Sequence, residues 1–349
     1  MSEATEAQAP RFDLQSHSTR SDGVLEPAEV VAAAAKAGVE LLALSDHDTL
    51  AGVPEALEAG ALQGITVVPA IEISAIDRPS RVAGDPSRVA GEPSQEAGDG
   101  GARGEQQGPG DGSGQRGPGG GGHGPARELH ILGYLIDHTD PEFTRTLAGF
   151  LADREQRTLR MAKNLRGLGI ELDARAIDAR VEAGEPIGRP HLAEAALGHP
   201  ANAERLREEQ IDDIGSFIKA YLIEGRPAFA LRATPTVKEA IDAIHAAGGV
   251  AIWAHPFWDV EDPKEALAMI ERFRNMGIDG IEAFYITHTQ EQTELLARRC
   301  AELDLLSTGS ADFHGPENRL FSRFMAFQTH GMTPNLGPIG ALAKANSEK

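Results

Sequence analysis

The sequence predicts an α/β fold in which parallel strands alternate with helices, as an open sheet or as a (β/α) barrel. From residue 228 onward, short apolar strands and amphipathic helices follow one another regularly, which is the pattern of such folds. Earlier, the apolar run Leu41–Leu44 passes directly into polar residues 45–48, Ser-Asp-His-Asp. This change from a buried strand to charged side chains recurs along the chain, which predicts chemistry at the strand ends.

The composition excludes several function classes. The 349 residues are 41% hydrophobic and 25% charged, which is normal for a globular chain that can bury one large or two ordinary cores. The net charge of −20 argues against broad binding to duplex nucleic acid but leaves a small phosphorylated substrate open. No apolar run approaches about 18 residues, so we expect no membrane partner. The polar amino terminus and the single Cys300 predict a cytoplasmic protein without a signal peptide.

The first part of the predicted barrel spans residues 11–140, and residues 1–10 are expected to be flexible. Its first elements are predicted as a strand at 11–14, a helix at 29–37, a strand at 41–44, a helix at 53–61 and a strand at 65–73. The last strand is β-branched and carries one acid, Glu72, which is either a surface residue on an edge or a ligand.

Residues 78–127 interrupt this part with a different composition. They begin with the repeats PSRVAGD, PSRVAGE and PSQEAGD and continue into Gly-rich sequence that contains His123. Such a segment cannot bury a core, so we predict a disordered insertion between two strands. The strand after it, at residues 128–136, carries His130 near its start.

Residues 141–227 predict a helical insert or cap, and residues 228–330 predict the second part of the barrel. The expected helices of the cap lie at 140–168, 174–183, 191–197 and 211–222. Within the cap, the run Gly-Arg-Pro-His places Arg189 and His191 at a helix start. The second part of the barrel alternates a helix at 236–247, a strand at 250–254, a helix at 264–276, a strand at 278–283, a helix at 290–303 and a strand at 305–310. Residues 331–349 have weak periodicity and are expected to be flexible.

Several polar residues share one position, directly after a predicted apolar strand. They are Gln15, His17, Asp22, residues 46–48, His255, Asp312 and His314. In a (β/α) barrel these strand ends meet at one rim, where so many imidazoles and carboxylates would repel or desolvate one another without cations. The donor set lacks a thiolate, which favours zinc, manganese or iron in a catalytic site over a cysteine-based structural site. Glu72 is our candidate for a carboxylate that bridges neighbouring ions.

These residues resemble one known family. The series His17-Ser-x-x-Ser-Asp22-Gly, Asp46-His-Asp, Glu72, His130, Ala254-His255-Pro and Asp312-Phe-His314 is similar to the PHP (polymerase and histidinol phosphatase) superfamily of metal-dependent phosphoesterases. The resemblance covers nearly all of the chain outside the termini and the repeat insertion. The helical insert with its Gly-Arg-Pro-His run resembles the branch of nucleotide phosphatases and 5′–3′ exoribonucleases.

The resemblance implies a distorted (β/α)7 barrel with a helical cap, and a site that typically holds three divalent ions. The ligands carried over by position are His17, Asp22, His47, Glu72, His130, His255, Asp312 and His314. The family opens its barrel with a His-x-His pair, whereas this chain has Gln15 at the first of the two positions. An amide oxygen binds a transition metal more weakly than imidazole, so we expect two to three ions, with manganese preferred and zinc, iron or magnesium as alternatives.

The implied reaction is hydrolysis of phosphate monoesters of nucleotides by metal-bound hydroxide. The implied substrates are 3′,5′-nucleoside bisphosphates, AMP-type mononucleotides or the 5′ ends of short RNA. Arg189 and His191 are predicted to hold phosphate, with a surface arginine as the alternative for Arg189. His255 or Asp46 would protonate the leaving group, and Glu72 is also predicted to be catalytic, as the carboxylate that bridges the ions. The competing hypotheses are an amidohydrolase-type barrel and a degenerate PHP module that binds a partner without catalysis.

Overall fold

Seven strands form a sheet whose spatial order follows the sequence. The computed structural model describes residues 11–78, 126–182, 187–223 and 225–347. The strands are β1 (Phe12–Asp13), β2 (Leu41–Leu44), β3 (Thr66–Asp77), β4 (Arg127–Tyr134), β5 (Val250–Trp253), β6 (Gly280–Tyr285) and β7 (Leu306–Ser310). Of the insertion predicted at residues 78–127, residues 79–125 lie outside the described ranges, whereas Arg127 is the first residue of β4. The amino terminus predicted to be flexible, residues 1–10, also lies outside them.

The sheet curves into a nearly closed barrel. Neighbouring strands are parallel except that β4 runs antiparallel to both β3 and β5. The first and last strands approach each other, because Leu14 N donates to Gly309 O at 3.2 Å and His17 N donates to Phe313 O at 2.8 Å. The predicted distorted seven-stranded barrel is therefore confirmed. The reversal of β4 was not predicted, since strand periodicity carries no information on direction.

Helices cover the outside of this barrel and form the inserted segment. They are α1 (Pro27–Ala37), α2 (Val53–Gln63), α3 (Pro141–Gly167), α4 (Ala174–Glu182), α5 (Arg189–Leu197), α6 (Ala203–Glu208), α7 (Ile214–Phe217), α8 (Val237–Ala246), α9 (Pro256–Asp259), α10 (Pro263–Met276), α11 (Gln290–Leu303) and α12 (Gly337–Ser347). A 3₁₀ turn at Pro200–Asn202 and a π turn at Ile218–Leu222 complete the set.

Local sequence signals explain where these helices begin and end. Thr236 and Glu239 form a reciprocal capping box at the start of α8, with Thr236 N donating to Glu239 Oε2 at 2.7 Å. Gly277 ends α10 in the left-handed conformation, at φ of 101°, where a side chain would be strained. Because such signals are local, the predicted helix boundaries in the second part of the barrel lie within a residue or two of the observed ones.

The apolar residues form separate clusters in the barrel and in the insert. The barrel core includes Ile73, Ile131, Ile244 and Trp253, all fully buried. The helices between residues 141 and 223 have their own cluster, in which Leu165, Leu192 and Phe217 are fully buried. This second cluster stabilises the insert by removing apolar surface from water. Within the described ranges, no helix combines the length and the apolar content that a membrane span requires.

The carboxyl-terminal region forms a helix that the sequence analysis did not predict. Residues 331–349 were expected to be flexible, whereas Gly337–Ser347 forms α12. Leu336 and Ile339 are buried in a cluster with Phe12, Leu41 and Val68 from the first strands. Only a few apolar side chains make this contact, so the helical periodicity of the segment is weak although its packing is specific.

Candidate metal centre

The barrel gathers the predicted ligands at one rim. His17 follows β1, His47 follows β2, and Asp312 follows β7. His130 lies in the first half of β4, opposite Ser74 of β3. Because β4 is reversed, its beginning lies at the same rim as the ends of the parallel strands. The reversal therefore brings His130 to the cluster.

The carboxylate of Glu72 lies at the centre of the cluster. Its Oε1 is 2.7 Å from His130 Nδ1 and 3.2 Å from His255 Nε2. Its Oε2 is 3.0 Å from His17 Nε2 and 3.7 Å from His47 Nδ1. Although complete burial alone would raise the pKa of Glu72, the surrounding imidazoles, His47 foremost, hold it well below its ordinary value. Glu72 is therefore an inward-facing, ionised group and not a surface residue on a strand edge.

Three overlapping groups of donor atoms could each hold a cation. In each group the donor atoms lie within 4.8 Å of one another. The groups are His17, Asp22, His47 and His314; His47, Glu72 and His130; and His17, Glu72 and Asp312. His255 joins the cluster through its contact with Glu72 and through His130, whose Nδ1 lies 3.3 Å from His255 Nε2.

Unpartnered buried atoms indicate that the cluster fits divalent ions. Among the described residues, His17 Nε2, His47 Nδ1, His255 Nδ1 and Asp312 Oδ1 are buried without a hydrogen-bond partner. His17 Nε2 and Asp312 Oδ1 are 3.1 Å apart but are not aligned for a hydrogen bond. Orphaned polar atoms in a protein interior are costly, and imidazole and carboxylate donors are typical ligands of zinc, manganese and iron. The site is therefore suited to divalent metal binding.

Gln15 joins this cluster with its amide nitrogen facing the carboxylate. Nε2 donates to Glu72 Oε2 at 2.8 Å, and Oε1 accepts from Ser310 Oγ at 3.3 Å. The opposite amide orientation would place two oxygens against each other. The structure thus brings Gln15 to the predicted position, where it supports Glu72 from one side. A ligand role for its oxygen stays a prediction.

Asp46 lies beside the cluster, and its carboxylate is occupied by a loop. Oδ1 accepts from Ser18 N and from Ser21 Oγ, each at 2.7 Å, and Oδ2 accepts from Ser18 Oγ at 2.7 Å. Burial raises the pKa of this carboxyl. The three donor groups do not include Asp46. Its contacts hold the loop that carries His17 and Asp22 at the rim.

A glycine in the same loop allows close backbone packing. A Cβ added to Gly23 would lie 2.2 Å from His17 O and 2.8 Å from Ser18 N. Backbone atoms cannot move aside as the end of a flexible side chain can. The loop conformation that presents His17 and Asp22 therefore requires glycine at position 23.

Replacing Gly23 with alanine is expected to lower the free energy of unfolding by about 1–3 kcal/mol and to weaken metal binding. Gly149→Ala is the matched control, because an added Cβ there meets nothing within 4 Å. In the middle of α3 this control is expected to stabilise the protein by about 0.5–1 kcal/mol. Urea unfolding and metal titration of both variants check the prediction, and equal behaviour of the two would contradict it.

The two cap residues, Arg189 and His191, both lie in the first turn of α5. Arg189 Nη1 is 3.5 Å from Glu128 Oε2, and Glu128 is two residues before His130 on the same strand face. His191 is largely buried, which lowers its pKa to about 4, and its Nδ1 accepts from Gly188 N at 3.1 Å. Asp22 is among the charges that act on this imidazole. Both residues therefore lie beside the donor cluster, and their contact with phosphate stays a prediction.

A buried ion network around Asp48 was not predicted from the sequence. Asp48 Oδ2 accepts from Arg154 at 3.0 Å and from Arg232 at 2.9 Å, and Asp48 Oδ1 accepts from Ser74 N at 3.0 Å. Because Arg154 belongs to the insert, its bond to Asp48 connects the insert to the rim, and its Nε also donates to Ile187 O at 3.1 Å within the insert. One signal was available, because Arg154 lies four residues after the apolar Phe150 on the buried face of α3.

Three further buried residues, Tyr285, Glu282 and His288, lie next to the cluster. Tyr285 donates its hydroxyl to Asp312 Oδ2 at 2.8 Å. Glu282 accepts from His255 N at 2.9 Å and from Ser310 Oγ at 2.6 Å, and burial raises its pKa to about 8. His288 is buried against the Tyr285 ring, with centroids 5.4 Å apart. Both Glu282 and His288 are buried.

A nearly closed α/β barrel with imidazoles and carboxylates gathered at its rim defines the class of metal-dependent barrel hydrolases. A model of the PHP domain matches residues 13–166 of the chain. A Haemophilus influenzae protein named 5′-3′ exoribonuclease is 31% identical over 307 residues, which cover 88% of this chain and 90% of that protein. The chain therefore belongs to the PHP family, and the resemblance seen in the sequence is confirmed.

Two other comparisons agree with this assignment. The 3′,5′-nucleoside bisphosphate phosphatase of Chromobacterium violaceum is 26% identical over 313 residues, with 87% of each chain covered. A solved structure of an amidohydrolase from Chromobacterium violaceum, with bound sulfate and no metal, has a TM-score of 0.66 and covers 96% of both chains. At 23% identity, this second likeness shows a shared barrel fold.

Proposed function

We propose that this protein is a metal-dependent phosphoesterase that hydrolyses phosphate monoesters of nucleotides. The proposed substrates are 3′,5′-nucleoside bisphosphates and AMP-type mononucleotides, including the 5′ ends of short RNA. One observation carries the proposal, namely that the carboxylate of Glu72 contacts four imidazoles at the barrel rim. Relatives named for a bisphosphate phosphatase and an exoribonuclease support this substrate class.

We further propose that the site takes two to three divalent ions, with manganese preferred over zinc, iron or magnesium. The ligands would be His17, Asp22, His47, Glu72, His130, His255, Asp312 and His314. When bound, such ions supply an activated water as nucleophile and offset the negative charge of the phosphoryl oxygens. Gln15 supports fewer than three bound ions, because the amide nitrogen that faces Glu72 is a donor and cannot act as a metal ligand.

The protein's own side chains would orient the substrate and manage the proton. Arg189 offers a planar pair of donors to phosphate, and His191 lies on the same helix start. Residues 141–227 would act as a cap that carries both. Of the two candidates for protonating the leaving oxygen, His255 and Asp46, the second is less suited, because three hydrogen bonds already occupy the Asp46 carboxylate.

The partners and the cellular location of this protein are also proposals. We propose a cytoplasmic enzyme that binds small nucleotides and excludes duplex nucleic acid. The net charge of −20 supports a small substrate, and a buried free Cys300 fits a reducing compartment. If the chain were a degenerate module without catalysis, several metal donors should have been lost. Seven of the eight proposed ligands are nevertheless present in the three donor groups, which favours the enzyme.

The test uses metal-stripped protein titrated with Mn²⁺, with phosphate release measured from adenosine 3′,5′-bisphosphate and from AMP. We expect release that depends on metal and falls by at least about 100-fold in Asp312→Asn and His255→Ala. His138→Ala is the control, since it lies past the carboxyl end of β4, at the other end of the barrel. Metal bound per chain is counted in wild type and in Gln15→His.

Each alternative has a distinct outcome in this experiment. Stoichiometric metal binding without phosphate release from either nucleotide would overturn the substrate class. A chain that binds no divalent metal would overturn the catalytic proposal and favour the partner-binding module. An additional ion in Gln15→His would show that the wild-type glutamine lowers the count.

A further inference from the structure

A row of aromatic rings leads from the metal cluster to the protein surface. The Phe321 ring lies 5.3 Å from the His314 ring, and the Trp258 indole lies 5.8 Å from Phe321. Trp258 is 53% exposed, although it is the kind of large apolar side chain that folding normally buries. Single exposed apolar side chains are common on protein surfaces. This indole is distinguished by its position, because the row of rings connects it to a cluster of charged donors.

Both rings are held in place by the segments that carry cluster residues. Trp258 N donates to His255 O at 2.8 Å within the turn that follows β5. His314 N donates to Phe321 O at 2.9 Å, and Phe321 N donates to Asn318 Oδ1 at 2.9 Å. The backbone thus ties each aromatic residue to a histidine of the cluster.

The third member of the row connects the two segments. Tyr285, at the end of β6, lies 5.2 Å from the His255 ring and 6.3 Å from the Phe321 ring, measured between centroids. Its hydroxyl donates to Asp312. The rings therefore form a continuous row along the ends of β5, β6 and β7, in which Tyr285 is buried next to the cluster and Trp258 is exposed. The row therefore presents the aromatic rings of Phe321 and Trp258 next to donors that suit an anionic group.

We propose that Trp258, together with Phe321, forms the stacking site for the base of the substrate nucleotide. The inference rests on the proposed nucleotide phosphoesterase function. Aromatic side chains bind bases through their π faces, which every base presents, so we expect affinity for the base with modest preference among bases. A protein partner that bound Trp258 at the surface would not need a row of rings that continues to the buried donor cluster.

The experiment compares AMP with ribose 5-phosphate, which carries the same phosphate without a base. In Trp258→Ala, the KM for AMP is expected to rise at least about fivefold relative to the KM for ribose 5-phosphate. Trp258→Phe retains an aromatic face and should recover most of this ratio. Leu62→Ala is the matched control, because Leu62 is 81% exposed but lies in the last turn of α2, away from the rim. It should leave the ratio unchanged.

Intrinsic fluorescence gives a readout that does not depend on turnover. The chain has two tryptophans, and Trp253 is fully buried, so quenching by a stacked base reports on Trp258. In the Mn²⁺-loaded protein, AMP should quench the emission, ribose 5-phosphate should not, and the difference should disappear in Trp258→Phe.

The outcomes separate this inference from the proposed function. Hydrolysis of AMP with no quenching and an unchanged ratio in Trp258→Ala overturns the stacking site and leaves the phosphoesterase intact. Quenching by AMP without hydrolysis supports the stacking site and contradicts the proposed reaction. An equal loss for both substrates assigns Trp258 to the support of His255 and also overturns the stacking site.

Discussion

Glu72→Gln is expected to reduce phosphate release by at least about 100-fold and to lower the amount of divalent metal that stays bound after dialysis. The carboxylate contacts His17, His47, His130 and His255, so it is the group that most cluster donors share. An amide is neutral and turns one acceptor atom into a donor, which would face an imidazole or an ion. The loss should therefore exceed that of any single histidine.

Metal analysis and phosphate release measured on the same samples check this result. Glu58→Gln is the matched control, since Glu58 is an exposed residue of α2. Thermal unfolding of the metal-free proteins shows whether the fold survives. A Glu72→Gln protein that keeps its metal and works within a few fold of wild type would disprove the central role assigned to this carboxylate.

Asp48→Asn is expected to lower the free energy of unfolding by about 3–5 kcal/mol at neutral pH. Asp48 is fully buried and accepts from two guanidinium groups, those of Arg154 and Arg232. Without the carboxylate charge, both buried cations would lose the counter-charge that they share, although Arg232 would keep Asp153, whose Oδ2 lies 3.5 Å from its Nε. Asp242→Asn is the control, because Asp242 forms an exposed pair with Lys238 that is worth about 0–1 kcal/mol.

The carboxyl of Asp48 is also expected to make the stability of the protein depend on pH in the acid range. Burial alone would raise the pKa of Asp48, but Arg232 and Arg154 lower it to about 2 in the folded protein. On acidification the unfolded chain therefore takes up this proton first. The stabilisation is complete above the unfolded value and is lost as the pH falls from about 5 toward 2. Urea unfolding across this range should show a shallower decline for Asp48→Asn, and parallel curves would contradict the assignment.

The sequence by itself determined the elements and the types of donor. Local periodicity and capping signals predicted alternating strands and helices, which fit an open parallel sheet or a barrel, and the family resemblance favoured the barrel. The position of His17, His47 and Asp312 after strand ends predicted their convergence, since parallel strands of a barrel end at one rim. The family resemblance added His130, which strand-end reasoning alone did not place at the rim.

Only the tertiary structure decided how these side chains face one another. The reversal of β4 explains how His130 reaches the rim, and the three bonds to Asp46 distinguish it from the cluster acids. Nothing in the local sequence of Gln15 indicates that its amide nitrogen points at Glu72. The partners of Asp48 are 106 and 184 residues away along the chain. Contacts at such separations depend on the packing of the insert and barrel, which local periodicity does not encode.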